Sequence, residues 1–207
     1  MCPSVNLCGF NINLMALSFI KKIPWLAKLY IPTIEPRAQV KIERTEKHLQ
    51  PNSKILDIGS GIGGLAYAFQ KRGHNMTCLD VVDHSFFPEI QPVIYDGKSF
   101  PFEKKSFDTA MIITVLHHTT TQREIISEAK RVANQVIIME DVYTNSFQKY
   151  LTYFMDSLVN LEFKGHPHSN RNEQEWEQLF TELNLEIVDK EVHRFLLFFR
   201  QVTYLLK

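Results

Sequence analysis

The chain has 207 residues, 44% of them hydrophobic and 22% charged, enough for one packed domain with a short extension. Its formal net charge is zero, which argues against a surface built to hold a nucleic-acid backbone. Three cysteines (Cys2, Cys8 and Cys78) are too few for a disulfide framework and point to a reducing, cytoplasmic setting.

The charge is unevenly placed. Residues 1–50 hold 7 Lys/Arg against 3 Asp/Glu. That bias suits peripheral contact with a membrane or another acidic surface, and solvated helix faces account for it equally well. The apolar stretch from Ile12 to Ile20 stops at Lys21-Lys22 and is too short to cross a bilayer. Its charges follow the run, where a signal peptide has them in front. The spacing predicts an amphipathic helix over 13–30, broken at Pro24, and a second helix from Ala38 to Leu49. Residues 1–50 are therefore expected to form an N-terminal helical extension, a lid or the substrate side of the molecule.

After the Pro51-Asn52 turn, short apolar runs alternate with helical periods. The runs are Lys54–Ile58, Met76–Val82, Val93–Tyr95, Thr109–Leu116 and Gln135–Glu140. Between them, Gly64–Arg72 reads as a helix ended by Gly73, and Thr121 with Glu124 three residues on reads as a capping box opening the next. Phe147, Tyr150, Leu151, Phe154 and Leu158 mark a further helix. Asn172 and Glu175 open the last, with Trp176, Leu179, Phe180 and Leu183 on its buried face. Leu185–Arg194 and Leu197–Leu206 are separated only by Phe195 and Leu196 and are expected to pair as a hairpin. This alternation specifies an α/β domain over 51–207, built on a mostly parallel sheet.

The most informative segment is Ile55-Leu56-Asp57-Ile58-Gly59-Ser60-Gly61-Ile62-Gly63-Gly64. A buried strand turns through alternating glycines straight into a helix, whose first N–H groups suit an anionic or polar ligand. Gly59, Gly61 and Gly64 satisfy a dinucleotide fingerprint, with Asp80 at the distance of a ribose-binding acid. Gly59, Gly61 and Gly63 with Asp57 match instead the D-x-G-x-G-x-G loop of methyltransferases. Asp57 favours the second, because a carboxylate there would repel a pyrophosphate and welcome an ammonium group. Asp80 closes its strand, where it can accept both ribose hydroxyls or serve as a solvated turn acid.

Further along stand Tyr95-Asp96-Gly97-Lys98-Ser99-Phe100-Pro101-Phe102, then Ser106-Phe107-Asp108, then Val115-Leu116-His117-His118. With the glycine loop and Asp80, this series resembles the type 11 group of class I S-adenosylmethionine-dependent methyltransferases over about residues 53–142. The terminal hairpin extends the likeness to strands six and seven of that fold. The resemblance implies a Rossmann-like three-layer sandwich with a seven-stranded sheet ending in an antiparallel hairpin, and S-adenosyl-L-methionine as cofactor. It implies that Gly59, Ser60, Gly61 and Gly63 bracket the methionine portion above Asp57. Asp80 and Val81 would take the ribose, Asp96 and Gly97 the adenine, while Thr114 and Val115 line the floor. Two departures stand out. The Asp80–Val93 crossover is short and contains Pro88, so its helix is expected to shrink to a turn. Val132-Ala133-Asn134 replaces the usual turn before strand five.

Methyl transfer from a sulfonium asks the protein mainly to align donor and acceptor and to exclude water; a base helps only some acceptors. His117 and His118 end strand four, where the ligand crevice lies. If that strand stays regular they point to opposite faces, and a hydrogen-bonded structural histidine explains either one as well. Glu140 and Asp141 end strand five at the same sheet edge, so one of them, Asp141 being the candidate catalytic residue, could orient a base or a substrate, with a turn or helix-capping role as the rival. Tyr143, His166 and His168 are candidate acceptor contacts. The two late histidines have no third ligand at metal spacing, so no metal is expected. Aromatic residues from Tyr143 to Phe163, with the Trp25–Tyr30 segment, suit an apolar, aromatic or lipid-like acceptor, although such stripes are commonly plain core. Leu116-His117-His118 replaces the N-P-P-Y sequence of enzymes that methylate flipped bases, which again disfavours nucleic acid. The alternatives are a nicotinamide-dependent oxidoreductase using the same glycines, and a non-catalytic relative serving a partner.

Overall fold

A computed structural model describes residues 21, 23–144, 148, 150, 169–195 and 199–207. The predicted helix around 147–158, the N-terminal half of the predicted 13–30 helix and the tip of the terminal hairpin lie outside the described residues.

Seven strands form one sheet: β1 (Lys54–Ile58), β2 (Asn75–Asp80), β3 (Val93–Ile94), β4 (Phe107–Ile113), β5 (Ala133–Val142), β6 (Ile187–Phe195) and β7 (Phe199–Leu206). Their order across the sheet is β3-β2-β1-β4-β5-β7-β6. The first five are parallel, and β7 runs antiparallel to both β5 and β6. The chain reverses direction across the sheet between β3 and β4, which opens a crevice at the carboxyl ends of β1 and β4.

Helices cover both faces. On one lie α1 (Pro24–Tyr30), α2 (Ile34–Thr45) and α3 (Gly64–Lys71); on the other lie α4 (Gln122–Val132) and α5 (Glu173–Glu182). Strand alternation divides β1 between the two cores: Ile55 joins Ile34, Ala38, Ile42 and Phe69, while Leu56 and Ile58 join Ile126, Trp176 and Phe180. Trp176, Phe180 and Tyr204 are fully buried, and the Phe180 and Tyr204 rings meet edge-on at 5.0 Å. Each such side chain removed from water stabilises the fold by about 1.5–3 kcal/mol.

Four local readings change. The second helix runs over Ile34–Thr45, then tightens to a 3-10 turn at Glu46–His48. Pro36 sits in its first turn, where a missing N–H breaks nothing. The capping box expected at Thr121 is absent, its hydroxyl bonding Thr119 and the Gly97 carbonyl instead. The box at Asn172 and Glu175 does form, each side chain accepting the other's backbone N–H. Strand β4 stops at Ile113, and Leu116–His118 is a 3-10 turn rather than strand. Finally, α4 passes into β5 at Ala133 with no intervening turn. The Asp80–Val93 crossover carries no helix, as its length and Pro88 suggested.

Candidate functional site

Strand β1 delivers the glycine loop to the crevice. Gly59 donates its N–H to the Leu79 carbonyl at 2.8 Å, and Gly63 donates to Ser60 O at 2.9 Å, closing the turn at the start of α3. Gly59 and Gly61 are both left-handed, for different reasons. At Gly59 (φ +72°) a Cβ would stand 2.6 Å from Val115 Cγ2, so the residue is fixed by the protein's own packing. At Gly61 (φ +51°) the nearest atom to such a Cβ is 4.0 Å away, so that face is open to a ligand. The carboxylate of Asp80 pins the loop to β2: Oδ2 accepts from Gly61 N–H and Oδ1 from Val81 N–H, both at 2.7 Å. Burial pushes its pKa up, against the pull of those N–H groups.

Asp57 lies beneath, in register with Cys78 and Met111. It is only 3% exposed, and its Oδ2 has no hydrogen-bond partner among the described residues. Desolvation raises its pKa to about 7, opposed by Lys41 and reinforced by Asp80.

Beside β3, Val81 faces Gly97, whose Cβ would stand 3.6 Å from Val81 Cγ1. Asp96 is exposed, and its Oδ1 accepts from the N–H groups of Lys98 and Ser99 at 2.9 and 2.8 Å. Those bonds hold its pKa down.

The tip of β4 is strained. Thr114 is β-branched yet sits at φ +58°, a conformation such residues rarely adopt. Its N–H reaches Met139 O at 2.7 Å, and its Oγ1 donates to Ile113 O while accepting from Lys41 Nζ at 3.1 Å. Immediately after it, fully buried Glu140 captures the turning chain. Its Oε1 accepts from Val115 and Leu116 N–H at 2.8 and 2.7 Å, and its Oε2 bonds His117 Nδ1 at 2.6 Å. Because this is a turn, His117 and His118 do not diverge as strand neighbours would: their rings lie 4.0 Å apart. Asp141 accepts from Gln201 Nε2 at 2.8 Å, and Gln201 is held in turn by Arg44 of α2. Tyr143 OH donates to Glu175 Oε2 at 3.2 Å.

One end of the sheet thus gathers Asp57, the loop 59–63, Asp80, Thr114 and Val115, with Asp96 and Gly97 across Val81. His117, His118, Asp141 and Tyr143 occupy the adjoining β4–β5 edge. His166 and His168, with the aromatic residues Phe147, Tyr153, Phe154 and Phe163, lie outside the described residues. One participant escaped the sequence reading: Lys41 enters from 73 residues before Thr114. Of the two acids that end β5, Glu140 rather than Asp141 bonds His117.

The geometry agrees with known proteins. A family model for the methyltransferase domain matches residues 33–190. A putative methyltransferase of Bacillus halodurans superposes with a TM-score of 0.63 at 14% identity, covering 81% of this chain and 96% of that one. A SAM-dependent methyltransferase of Methanosarcina mazei gives 0.62 at 20%, covering 78% and 95%. The chain belongs to the methyltransferase-domain family, with the fold of the class I S-adenosylmethionine-dependent enzymes. That membership resolves the ambiguity of the glycine spacing against the nicotinamide alternative. In sequence it is similar to a sarcosine/dimethylglycine N-methyltransferase of Aphanothece halophytica, 28% identical over 42% of this chain and 36% of that protein. A sterol 4-C-methyltransferase of Caenorhabditis elegans is 23% identical over 69% and 47%. The chain spans less than half the length of the curated relatives it matches.

Proposed function

We propose that this chain transfers a methyl group from S-adenosylmethionine to a small-molecule acceptor. The observation that carries this reading is Asp57, a sunken carboxylate with one oxygen unsatisfied among the described residues, beneath a loop whose tip at Gly61 meets none of their atoms closer than 4.0 Å. Burying such a group alone is costly, and a ligand bearing an ammonium group offsets the cost. In this reading Asp57, Gly59, Ser60, Gly61 and Gly63 hold the methionine portion, Asp80 and Val81 the ribose, and Asp96 with Gly97 the adenine. Thr114 and Val115 form the floor.

Bound S-adenosylmethionine supplies a methyl group already activated on sulfur. The chain's own task is to aim an acceptor and keep water away. His117 is the base for an acceptor hydroxyl or acidic carbon: Glu140 fixes its ring and would stabilise the imidazolium once the proton is taken. For an amine acceptor no base is needed, and the pair then only shapes the wall. His118, Asp141 and Tyr143 lie on the acceptor side, with His166 and His168 as further contacts and the N-terminal helices as its cover. Trp25 and Leu29 present mostly exposed apolar side chains on α1, which suits an apolar, aromatic or lipid-like acceptor. The small-molecule class is supported by the relatives named for sarcosine, dimethylglycine and sterols.

Calorimetric titration tests the reading. S-adenosylhomocysteine is expected to bind and NAD not, with Asp80→Ala weakening the former by about tenfold or more. Binding of NAD without S-adenosylhomocysteine would overturn it. A small-molecule screen with methyl-labelled donor then identifies the acceptor.

A further inference from the structure

Helix α1 has two unlike sides. Leu26 and Tyr30, one turn apart, are half-buried, and the Tyr30 ring meets Phe86 of the β2–β3 crossover at 5.4 Å. Trp25, Lys28 and Leu29, spaced i, i+3 and i+4, share the other side. All three are exposed, Trp25 at 67% and Leu29 at 69%. A tryptophan and a leucine left in water side by side contribute little to the fold, since neither buries its apolar surface.

Positive charge is placed with them. Lys21 is exposed just ahead of α1, and the stretch 21–34 holds Lys21, Lys22 and Lys28 with no Asp or Glu. This composition selects among occupants. A second copy of the chain docking the same face about a twofold axis would set lysines against lysines, with no acid in that stretch to answer them. An anionic bilayer surface meets every feature at once. Tryptophan settles at the headgroup level, leucine enters the acyl boundary, and the lysines keep their ammonium groups among the phosphates. Each lysine beside such a membrane strengthens association by about fivefold.

We propose that the exposed face of α1 docks this protein on anionic lipid bilayers, with Trp25 and Leu29 as apolar anchors and Lys21 and Lys28 as electrostatic contacts. The docking stands independently of the cofactor reading. The face is tied to the crevice by packing: Phe86, which the inner side of α1 touches, donates its N–H to Ile62 O of the glycine loop at 3.0 Å. A consequence for the acceptor rests on the methyl-transfer reading: docking brings the crevice beside the phase in which a lipid-like acceptor is dissolved.

The test mixes the full chain with vesicles of phosphatidylcholine, alone or with an equimolar share of phosphatidylglycerol, and follows co-sedimentation and tryptophan emission. Trp176, the only other tryptophan, is fully buried, so a change on docking reports Trp25. The parent is expected to bind the anionic vesicles with a blue shift, and to bind phosphatidylcholine alone at least about tenfold more weakly. The double variant Trp25→Ser with Leu29→Ser should lose about tenfold or more in affinity for the anionic vesicles. Its thermal midpoint should match the parent's, because neither side chain is buried. Trp25→Phe should still bind but lose the blue shift. Absence of binding to the anionic vesicles would overturn the proposal, as would a double variant that binds like the parent. A blue shift that survives in Trp25→Phe would place the contact elsewhere and also refute it. So would a concentration-dependent dimer that the double variant abolishes, since a second copy would then cover the face.

Discussion

Single residues carry opposed demands at this site, and Asp57 shows them most clearly. Its carboxyl titrates at about 7 in the folded chain against 3.8 ordinarily, because burial disfavours the charged form. The folded state therefore binds more protons than the unfolded state between those values, and stability falls as pH rises through that window. The upper bound on the effect is about 4 kcal/mol. Asp57→Asn is expected to be more stable than the parent near pH 8, the two converging near pH 4, in urea titrations of ligand-free protein. Stability curves that stay parallel across that range would contradict the assignment. A motif reading locates Asp57 through its distance from Gly59. It cannot see Lys41, whose ammonium reaches Thr114 across 73 residues and whose neighbourhood in sequence is an ordinary charged helix.

Elements were legible where one force dominates. The run Lys54–Ile58 is buried at four of its five positions, and its strand begins and ends as the apolar pattern predicts. The end of β4 departs from the apolar pattern because Leu116 continues the apolar run, while the turn is made by Glu140 capturing two backbone N–H groups from another strand. Two capping patterns looked alike in sequence, yet only that of α5 closes. Asn172→Ala should cost about 1 kcal/mol by chemical denaturation, because it frees the Glu175 N–H. Thr121→Ala should cost less, since its hydroxyl satisfies no N–H of α4. Comparable losses in the two variants would show that the caps differ less than their geometry says.

At the scale of the whole molecule, stability is graded across the sheet. β4 lies between β1 and β5 with six of its seven residues buried, whereas β3 has two residues, both exposed, at an edge. Amide hydrogen exchange should be slowest along Phe107–Ile113 and fast at Val93 and Ile94; the reverse order would refute this grading. The sheet order itself has a consequence for synthesis. Strand β7 is the last of the seven to be made, yet it occupies an interior position, and among the described strands β6 neighbours β7 alone. A growing polypeptide that has not yet produced Phe199–Leu206 therefore displays the bare flank of β5, an apolar strand open to foreign pairing. Until translation passes that point, none of the described strands covers that side of β5.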